Sequence, residues 1–329
     1  MTLFENFNSN SLAMVLNLLI KRDVKDLCEV AALSVRRRIC HPKYRPEVFY
    51  SNVFSHAPLS FEKTASPLVT IIIPCRNEWA FTHSCLYAIR NNTTAIPCEI
   101  VVADDTSTDE TENIANLVAG VTVVRNTVNL GFLRNCNNAA NTAKGKYLVF
   151  LNNDTNVQKG WLNSLLETIE RDPMIGMVGP KFVYPDGKLQ EAGGIIWNDA
   201  SGWNYGKWDD PDRQQYNFAR ETDYISGACL MIRKALWEEI GGFDERYAPA
   251  YYEDSDLAFE VRKRGFKVVY QPASVVVHFE GTTCGTDSGK GIKKYQEINR
   301  AKFFRKWETV LKNEHFLPGQ VRYAVKSAL

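Results

Sequence analysis

The chain has 329 residues, room for about two ordinary domains or for one large α/β unit with extensions. Hydrophobic residues are 45% and charged residues 23%, which excludes disordered, collagen-like and coiled-coil chains and supplies a sizeable core. With 39 Lys and Arg against 38 Asp and Glu, the formal charge of +1 gives no support for a nucleic-acid binder acting through overall charge.

Residues 1–40 read as two short amphipathic helices that meet near Arg22-Asp23 and end in the basic run Arg36-Arg37-Arg38. The plain reading is a helical extension packed on the main domain; the alternative is a docking or membrane-surface element. Leu12 to Ile20 is apolar but is broken by Asn17 and has neither a basic flank nor a small-residue cleavage site. It is also shorter than the roughly 20 residues that a bilayer span needs. Residues 41–67 carry Pro42, Pro46, Pro58 and Pro67 and read as an irregular linker.

From Val69 the pattern becomes α/β. Val69–Ile73 is a β-branched run stopped by Pro74, as expected of a strand buried on both faces. Ile100–Ala103, Val121–Val124 and Tyr147–Leu151 predict further strands, with helical segments between them. Ser107-x-x-Glu110 reads as a capping box opening a helix. This rhythm predicts a mostly parallel sheet with helices on both faces. After about residue 180 it loosens. Pro185-Asp-Gly-Lys188 is a turn, followed by an aromatic, Gly-rich stretch through Trp197, Trp203, Tyr205 and Trp208. Ile225–Ile232 predicts a strand interrupted by Gly227, and Glu253–Arg264 a helix closed at Gly265. Two short strands follow, around Val268 and at Val275–Val277. The last forty residues read as a basic amphipathic helix.

The eight cysteines form no CxxC pair and have no zinc-type spacing with a His, and several sit in apolar runs; buried free thiols in a reducing compartment are the reading. There is no GxGxxG after the first strand, no G-x-S-x-G and no HExxH, and Gly285–Gly291 fails the P-loop spacing. What remains is polar chemistry where strands end. Asp104-Asp105, Asn152-Asn153-Asp154 and His278 each follow an apolar run, and Glu253-Asp254 opens a helix. Ligands of open α/β sheets bind at the carboxyl edge of the strands. Carboxylates and a His gathered there suit Mn²⁺ or Mg²⁺.

An ordered set of blocks closely resembles the family 2 glycosyltransferases. It runs through Val69–Asn77 (VTIIIPCRN), Val101–Asp109 (VVADDTSTD), Asn129–Phe132 with Arg134-Asn135, Tyr147–Thr155 (YLVFLNNDT), Ser226–Cys229, Gly241–Asp244, Tyr252–Leu257 and Val275–His278. The resemblance covers about residues 68–310. It implies an inverting enzyme of GT-A fold: a mostly parallel, Rossmann-like nucleotide-binding sheet merged with a smaller mixed acceptor-side sheet, here with an N-terminal helical extension. The implied layout is extension and linker in 1–67 and a glycosyltransferase domain in 68–312. That domain divides into a nucleotide-sugar half (68–155), an acceptor half (156–290) and a C-terminal helix (291–312), with a tail in 313–329.

The roles implied are these. Asp105 accepts from the nucleotide base, Pro74, Arg76 and Glu78 line the nucleoside loop, and Arg134 reaches phosphate. Asp154 and His278 ligate Mn²⁺ or Mg²⁺; Asn152-Asn153-Asp154 stands where the family has a D-x-D-like motif, and only its last acid remains. Asn153 contacts ribose or sugar. Asp254 is the base that takes the acceptor proton, and Glu253, Gly227 and Trp203 serve the acceptor, with Trp197, Tyr205 and Trp208 completing a sugar-stacking lip. Each has a structural alternative: an Asx-turn for Asp154, a packed imidazole for His278, and for Asp254 a helix whose acids lie at its start and whose Arg262, Lys263 and Arg264 lie at its end. Asp256 is assigned to structure.

The activity implied is transfer of a sugar from a UDP- or dTDP-sugar to a hydroxyl of a glycan or lipid-linked glycan in surface polysaccharide assembly. The Asn129–Phe132 block and the single-acid metal motif resemble the rhamnosyltransferase-like branch. A cytoplasmic location follows, peripheral to the inner membrane face, and the chain can equally be one piece of a larger multidomain enzyme. The rivals are a non-catalytic glycan-binding scaffold with a degenerate site and a sugar-nucleotide pyrophosphorylase. The latter needs a Gly-rich, Arg-containing loop after the first strand, which Pro74–Glu78 is not.

Overall fold

Seven consecutive residues, Val69–Cys75, are buried, and this strand (β1) is an interior strand of the sheet, third from one edge. The computed structural model describes residues 42–49, 59–93, 95–280 and 294–321. In chain order β1 is followed by α1 (Trp79–Asn92), β2 (Cys98–Asp104), β3 (Thr122–Arg125), α2 (Phe132–Ala140), β4 (Tyr147–Leu151), β5 (Thr155–Val157) and α3 (Trp161–Arg171). Then come β6 (Ile175–Val183), β7 (Leu189–Glu191), the hairpin β8 (Gly194–Ile196) and β9 (Gly202–Asn204), β10 (Arg220–Glu221), β11 (Cys229–Arg233), α4 (Lys234–Ile240), α5 (Glu253–Lys263), β12 (Lys267–His278) and α6 (Tyr295–Glu314).

The main sheet runs β10-β12-β6-β11-β4-β1-β2-β3. The pairs β1–β2, β1–β4, β2–β3 and β6–β12 are parallel, and β11 lies antiparallel between β4 and β6. Two consequences position the site. The carboxyl ends of β1, β2, β4, β6 and β12 share one edge, and the start of β11 lies at that same edge. The regions 68–155 and 156–290 contribute to one continuous sheet, so we propose their division as one of function.

Side-chain alternation along the central strands feeds two cores. Ile72, Val101, Leu148 and Phe150 pack with Leu133 of α2, Trp237 of α4, Phe259 of α5 and Phe303 of α6. Ile71, Ile73, Val102 and Val149 pack on the other face with Leu86 of α1 and Trp161 of α3. Helices therefore cover both faces, as a parallel sheet requires.

Several sequence expectations change. The capping box does not form: Ser107 Oγ accepts from Asn77 N (2.7 Å), while Asp109 caps the short turn that follows by accepting from Thr111 N (3.0 Å). The strand expected at Ile225–Ile232 begins only at Cys229, because Ser226–Gly227 turns at the sheet edge. The two short strands expected near Val268 and Val275 are one strand, whose register shifts between Gln271 and Val275. The C-terminal helix spans Tyr295–Glu314 rather than forty residues. The expected helices of residues 1–40 lie outside the described residues, as does Gly285–Gly291. Within the linker, Phe49 N donates to Asn156 Oδ1 (2.8 Å) and Glu47 N to Gln158 Oε1 (2.8 Å), which docks 42–49 beside β5. Cys75, Cys85, Cys98, Cys136 and Cys229 are free, and burial pushes the Cys85 thiol up to about 12. Among the described residues no helix is long and apolar enough to cross a membrane.

Candidate active site

At the carboxyl edge the ends of β2, β4 and β12, the start of β11 and the start of α5 meet. Asp154 follows β4 and His278 ends β12. Their Oδ1 and Nε2 atoms are 3.3 Å apart, and Phe279 N donates to the Asp154 carbonyl (3.0 Å). Burial opposes charge on His278, but the Asp154 carboxylate, by charge and hydrogen bond, and Glu280 hold its pKa above the ordinary value.

Asn152 N donates to Ala228 O (2.9 Å), which ties the residues after β4 to the turn before β11. In that turn Gly227 N donates to Asp254 Oδ2 (3.0 Å), while Ser255 N donates to Asp254 Oδ1 (2.6 Å). Asp154, His278 and Asp254 thus belong to one connected edge. Burial raises the pKa of Asp254 although these donors oppose it, and burial together with Asp254 raises that of Glu253 well above its usual range. Glu253 Oε2 is buried with no hydrogen-bond partner among the described residues. The two residues before it, Tyr251 and Tyr252, are left-handed at φ 76° and 72°, a conformation non-glycine residues adopt at a cost of order 1–3 kcal/mol each.

Asp105, at the next strand end, is buried and already engaged. Its Oδ1 accepts from Leu130 N (2.8 Å) and Asn126 Nδ2 (2.9 Å), and its Oδ2 from Gly131 N (2.9 Å). The Asn-Leu-Gly-Phe block is therefore a loop anchored on Asp105. Its glycine, at φ +74°, sits where an added Cβ would meet Pro249 Cβ at 3.0 Å. Asp104 is structural: Arg125 Nη1 donates to Oδ2 (2.8 Å) and Ser107 N to Oδ1 (2.9 Å).

Pro74 is buried inside β1, whereas Arg76 and Glu78 are exposed on the loop after it. Asn77 and Glu78 are both left-handed at φ 60°, and with Trp79, Ala80, Thr108, Asp109 and Glu110 they line a cleft of about 540 Å³.

Three expected side chains are turned to other work. Arg134 Nε pairs with Glu245 Oε2 (3.0 Å) at the surface. Asn153, in the turn between β4 and β5, is buried and donates to Thr82 Oγ1 of α1 (3.0 Å). Its neighbour Asn152 instead has a buried Oδ1 with no hydrogen-bond partner among the described residues. Trp203 is half-buried, with its ring parallel to Trp197 (6.3 Å between centroids) and edge-on to Tyr205. Trp197 and Tyr205 are core, so of the expected lip only Trp208 is substantially exposed (42%), stacked on Tyr184 at 4.1 Å.

Sequence reasoning missed three residues. Glu191, at the end of β7, is 1% exposed; burial and then Asp254 push its pKa up to about 8. Gln190 is buried against His278, with its Oε1 2.9 Å from Nδ1. Asn299 on α6 donates from Nδ2 to the carbonyls of Tyr247 (2.7 Å), Ala250 (2.9 Å) and Tyr251 (3.0 Å), fixing the loop that leads into Glu253-Asp254. The signal for the first two was a polar Gln-Glu pair directly before Ala-Gly-Gly, a run too short to bury by itself.

Residues 70–240, just over half of the chain, match the profile of glycosyl transferase family 2. The chain belongs to that family. It is 29% identical over 226 residues to the N-acetylglucosaminyl-diphospho-decaprenol L-rhamnosyltransferase of Mycobacterium tuberculosis, an alignment covering 61% of this chain and 73% of that protein. It is 26% identical over 253 residues to the O-antigen biosynthesis protein RfbC of Myxococcus xanthus, covering 72% of this chain and only 20% of the longer relative. The solved structure of GalNAc-T7 with UDP, GalNAc and Mn²⁺ superimposes with a TM-score of 0.58 at 18% identity, covering 76% of this chain and 50% of that one. The fold is GT-A. The family match ends at residue 240, before Asp254, His278 and Asn299.

Proposed function

We propose that the chain is an inverting, metal-dependent glycosyltransferase that moves a sugar from a UDP- or dTDP-sugar to a hydroxyl of a glycan or lipid-linked glycan in surface polysaccharide assembly. The observation that carries this is the shared edge: the Asp154–His278 pair at 3.3 Å, and Asp254 held by Gly227 N on the turn that Asn152 also grips. The names of the Mycobacterium and Myxococcus relatives support the acceptor class.

The donor set fits a divalent cation. Two adjacent ligands of an octahedral ion at about 2.1 Å stand about 3.0 Å apart, close to the separation observed. Among the described residues no cluster of three or more His, Cys, Asp or Glu is arranged to hold a metal. Asp154 and His278 are the described residues that would hold it. When bound, Mn²⁺ or Mg²⁺ offsets the charge that develops on the leaving diphosphate.

The chain's own residues do the remaining work. Asp254 takes the proton of the acceptor hydroxyl while the oxygen forms its bond to the anomeric carbon. The bond from that carbon to the diphosphate breaks on the opposite side, and its electron pair leaves with the diphosphate. Two backbone donors keep Asp254 oriented. Glu253, buried beside Asp254, helps to seat the acceptor, and Gly227 leaves room beside Asp254. Asn152 Oδ1 is an acceptor for the donor's hydroxyls, a role that Asn153 is turned away from. Asp105 shapes the nucleotide pocket through the Leu130-Gly131 loop and keeps capacity to accept from the base.

The test is turnover of a UDP- and dTDP-sugar panel with Mn²⁺, with and without chelator, by wild type and Asp254→Asn. The variant is expected to keep nucleotide binding and to lose about 10²–10⁴-fold in transfer. A wild type that binds glycans but never turns over a donor makes the chain a scaffold and ends the proposal.

A further inference from the structure

His278 has two ring nitrogens, and only one faces Asp154. The other, Nδ1, lies 2.9 Å from Gln190 Oε1. The Gln190 amide has one chemically consistent orientation. Its Nε2 lies 3.2 Å from Glu280 Oε2 and 3.4 Å from the His278 carbonyl oxygen, both of which only accept. A flipped amide would set its oxygen against those two oxygens. So the atom presented to His278 is the amide oxygen, which cannot donate, and Nδ1 must carry the proton. Glu280 is held in turn by Tyr184 OH (2.7 Å) and Lys207 Nζ (3.2 Å to each carboxylate oxygen). Gln190 is 3% exposed and lies on β7, outside every block that the family resemblance rests on.

We infer that Gln190 is a positioning residue for divalent-cation binding, one that fixes the proton of His278 on Nδ1 and so leaves the Nε2 lone pair directed at Asp154. This rests on the reading of Asp154 and His278 as the cation's ligands. A neutral imidazole with its proton on Nε2 instead hydrogen-bonds to the Asp154 carboxylate. That bond removes the ligand lone pair and occupies the carboxylate oxygen in one stroke. The outer chain Tyr184–Glu280–Gln190, with Lys207 on the same carboxylate, therefore reaches the cation through a single amide. Partners of this kind typically set metal affinity by 10–100-fold.

Two measurements test it. In the first, free Mn²⁺ is followed by electron paramagnetic resonance during titration of wild type, Gln190→Leu, Tyr184→Phe and Asp154→Ala, each with saturating UDP and in parallel dTDP. Gln190→Leu is expected to weaken Mn²⁺ uptake about 10–100-fold. Tyr184→Phe, which loses only the hydroxyl donor to Glu280, shifts it the same way by less and covers the case in which Gln190→Leu fails to fold. In the second, ¹⁵N-imidazole NMR of the metal-free protein at alkaline pH reads the tautomer directly. The chain has only 5 histidines, and His278→Gln identifies the resonance. Wild type is expected to show Nδ1–H at His278, and Gln190→Leu to lose it. An Nε2–H tautomer in wild type, or Mn²⁺ affinity unchanged in both Gln190→Leu and Tyr184→Phe, overturns the inference alone. No Mn²⁺ uptake by wild type with either nucleotide overturns the cation reading itself, and this inference with it.

Discussion

Glu191 makes stability depend on pH in a direction opposite to that of an ordinary surface acid. Its carboxyl is buried at the end of β7, Oε1 has no hydrogen-bond partner among the described residues, and its environment raises its pKa to about 8, by burial first and by Asp254 second. In the unfolded chain a Glu titrates near 4.3. The folded state therefore binds the proton more tightly. The contribution of Glu191 is fully present below about pH 4.3 and is lost as pH rises through about 8. A gap of between three and four pH units at about 1.4 kcal/mol each amounts to roughly 5 kcal/mol, an upper figure for a site where relaxation is possible. Glu191→Gln keeps the shape and the acceptor oxygen but cannot ionise. Urea unfolding at pH 5, 6, 7 and 8 is the assay. Near pH 5 the variant is expected to match wild type within about 1 kcal/mol, and by pH 8 to exceed it by about 3–5 kcal/mol at unchanged m-value. Parallel pH profiles for the two proteins would refute the reasoning.

Further outcomes follow from the same geometry. Asp256 accepts from Lys306 Nζ (2.7 Å), Trp307 Nε1 (2.7 Å) and Tyr247 OH (3.0 Å); Lys306 keeps Asp244 and Glu260, but Asp256→Ala leaves the two aromatic donors without their acceptor and should cost about 2–4 kcal/mol in urea unfolding. Asn299→Ala frees three carbonyls before the Glu253-Asp254 corner; a loss of at least about 2 kcal/mol is expected, with kcat falling more than the KM for donor rises. An added Cβ at Gly227 meets Asp254 Cβ at 3.6 Å and Phe132 Cε1 at 3.8 Å, which is ordinary contact. Gly227→Ala should therefore hold stability within about 1 kcal/mol, while kcat/KM for the acceptor drops about tenfold or more if the acceptor passes there. The location expected from the sequence, peripheral to the inner membrane face, predicts that the chain floats with anionic vesicles at low salt and is released at high salt; no binding at low salt removes that expectation.

The strands were legible because burial on both faces demands unbroken apolar runs, and Val69–Ile73 and Tyr147–Leu151 have no other explanation. Strand ends were legible too, since a polar triplet after such a run can only lie at the edge. What each polar side chain does there was not. Asn153 and Asn152 are neighbours of identical chemistry, yet one bonds to Thr82, 71 residues away, and the other keeps a buried oxygen without a partner among the described residues. Arg134 had a salt partner 111 residues distant. Ser107 served Asn77 rather than its own turn. Local propensity is silent about partners at such separations, because they depend on how strands are ordered in the sheet. The aromatic lip failed for a related reason: Trp197 and Tyr205 are buried in the core, and Trp208, stacked on Tyr184, is exposed.

The position of the proposed base is therefore a property of the C-terminal part of the chain more than of the region that matches the family. Tyr251 and Tyr252 enter α5 in left-handed conformations that no local preference supports. They persist because Asn299 grips the carbonyls of Ala250 and Tyr251 from α6, while Asp256, one turn into α5, is clamped by Lys306 and Trp307 of the same helix. With α5 anchored at both points, the backbone of residue 254 is over-determined, and Gly227 N and Ser255 N then orient its carboxylate. Helix α6 thus holds the strained corner on which the proposed chemistry would turn, and loosening it should lower kcat more than it weakens nucleotide binding, for which β1, β2 and the Asp105-anchored loop are the proposed seat.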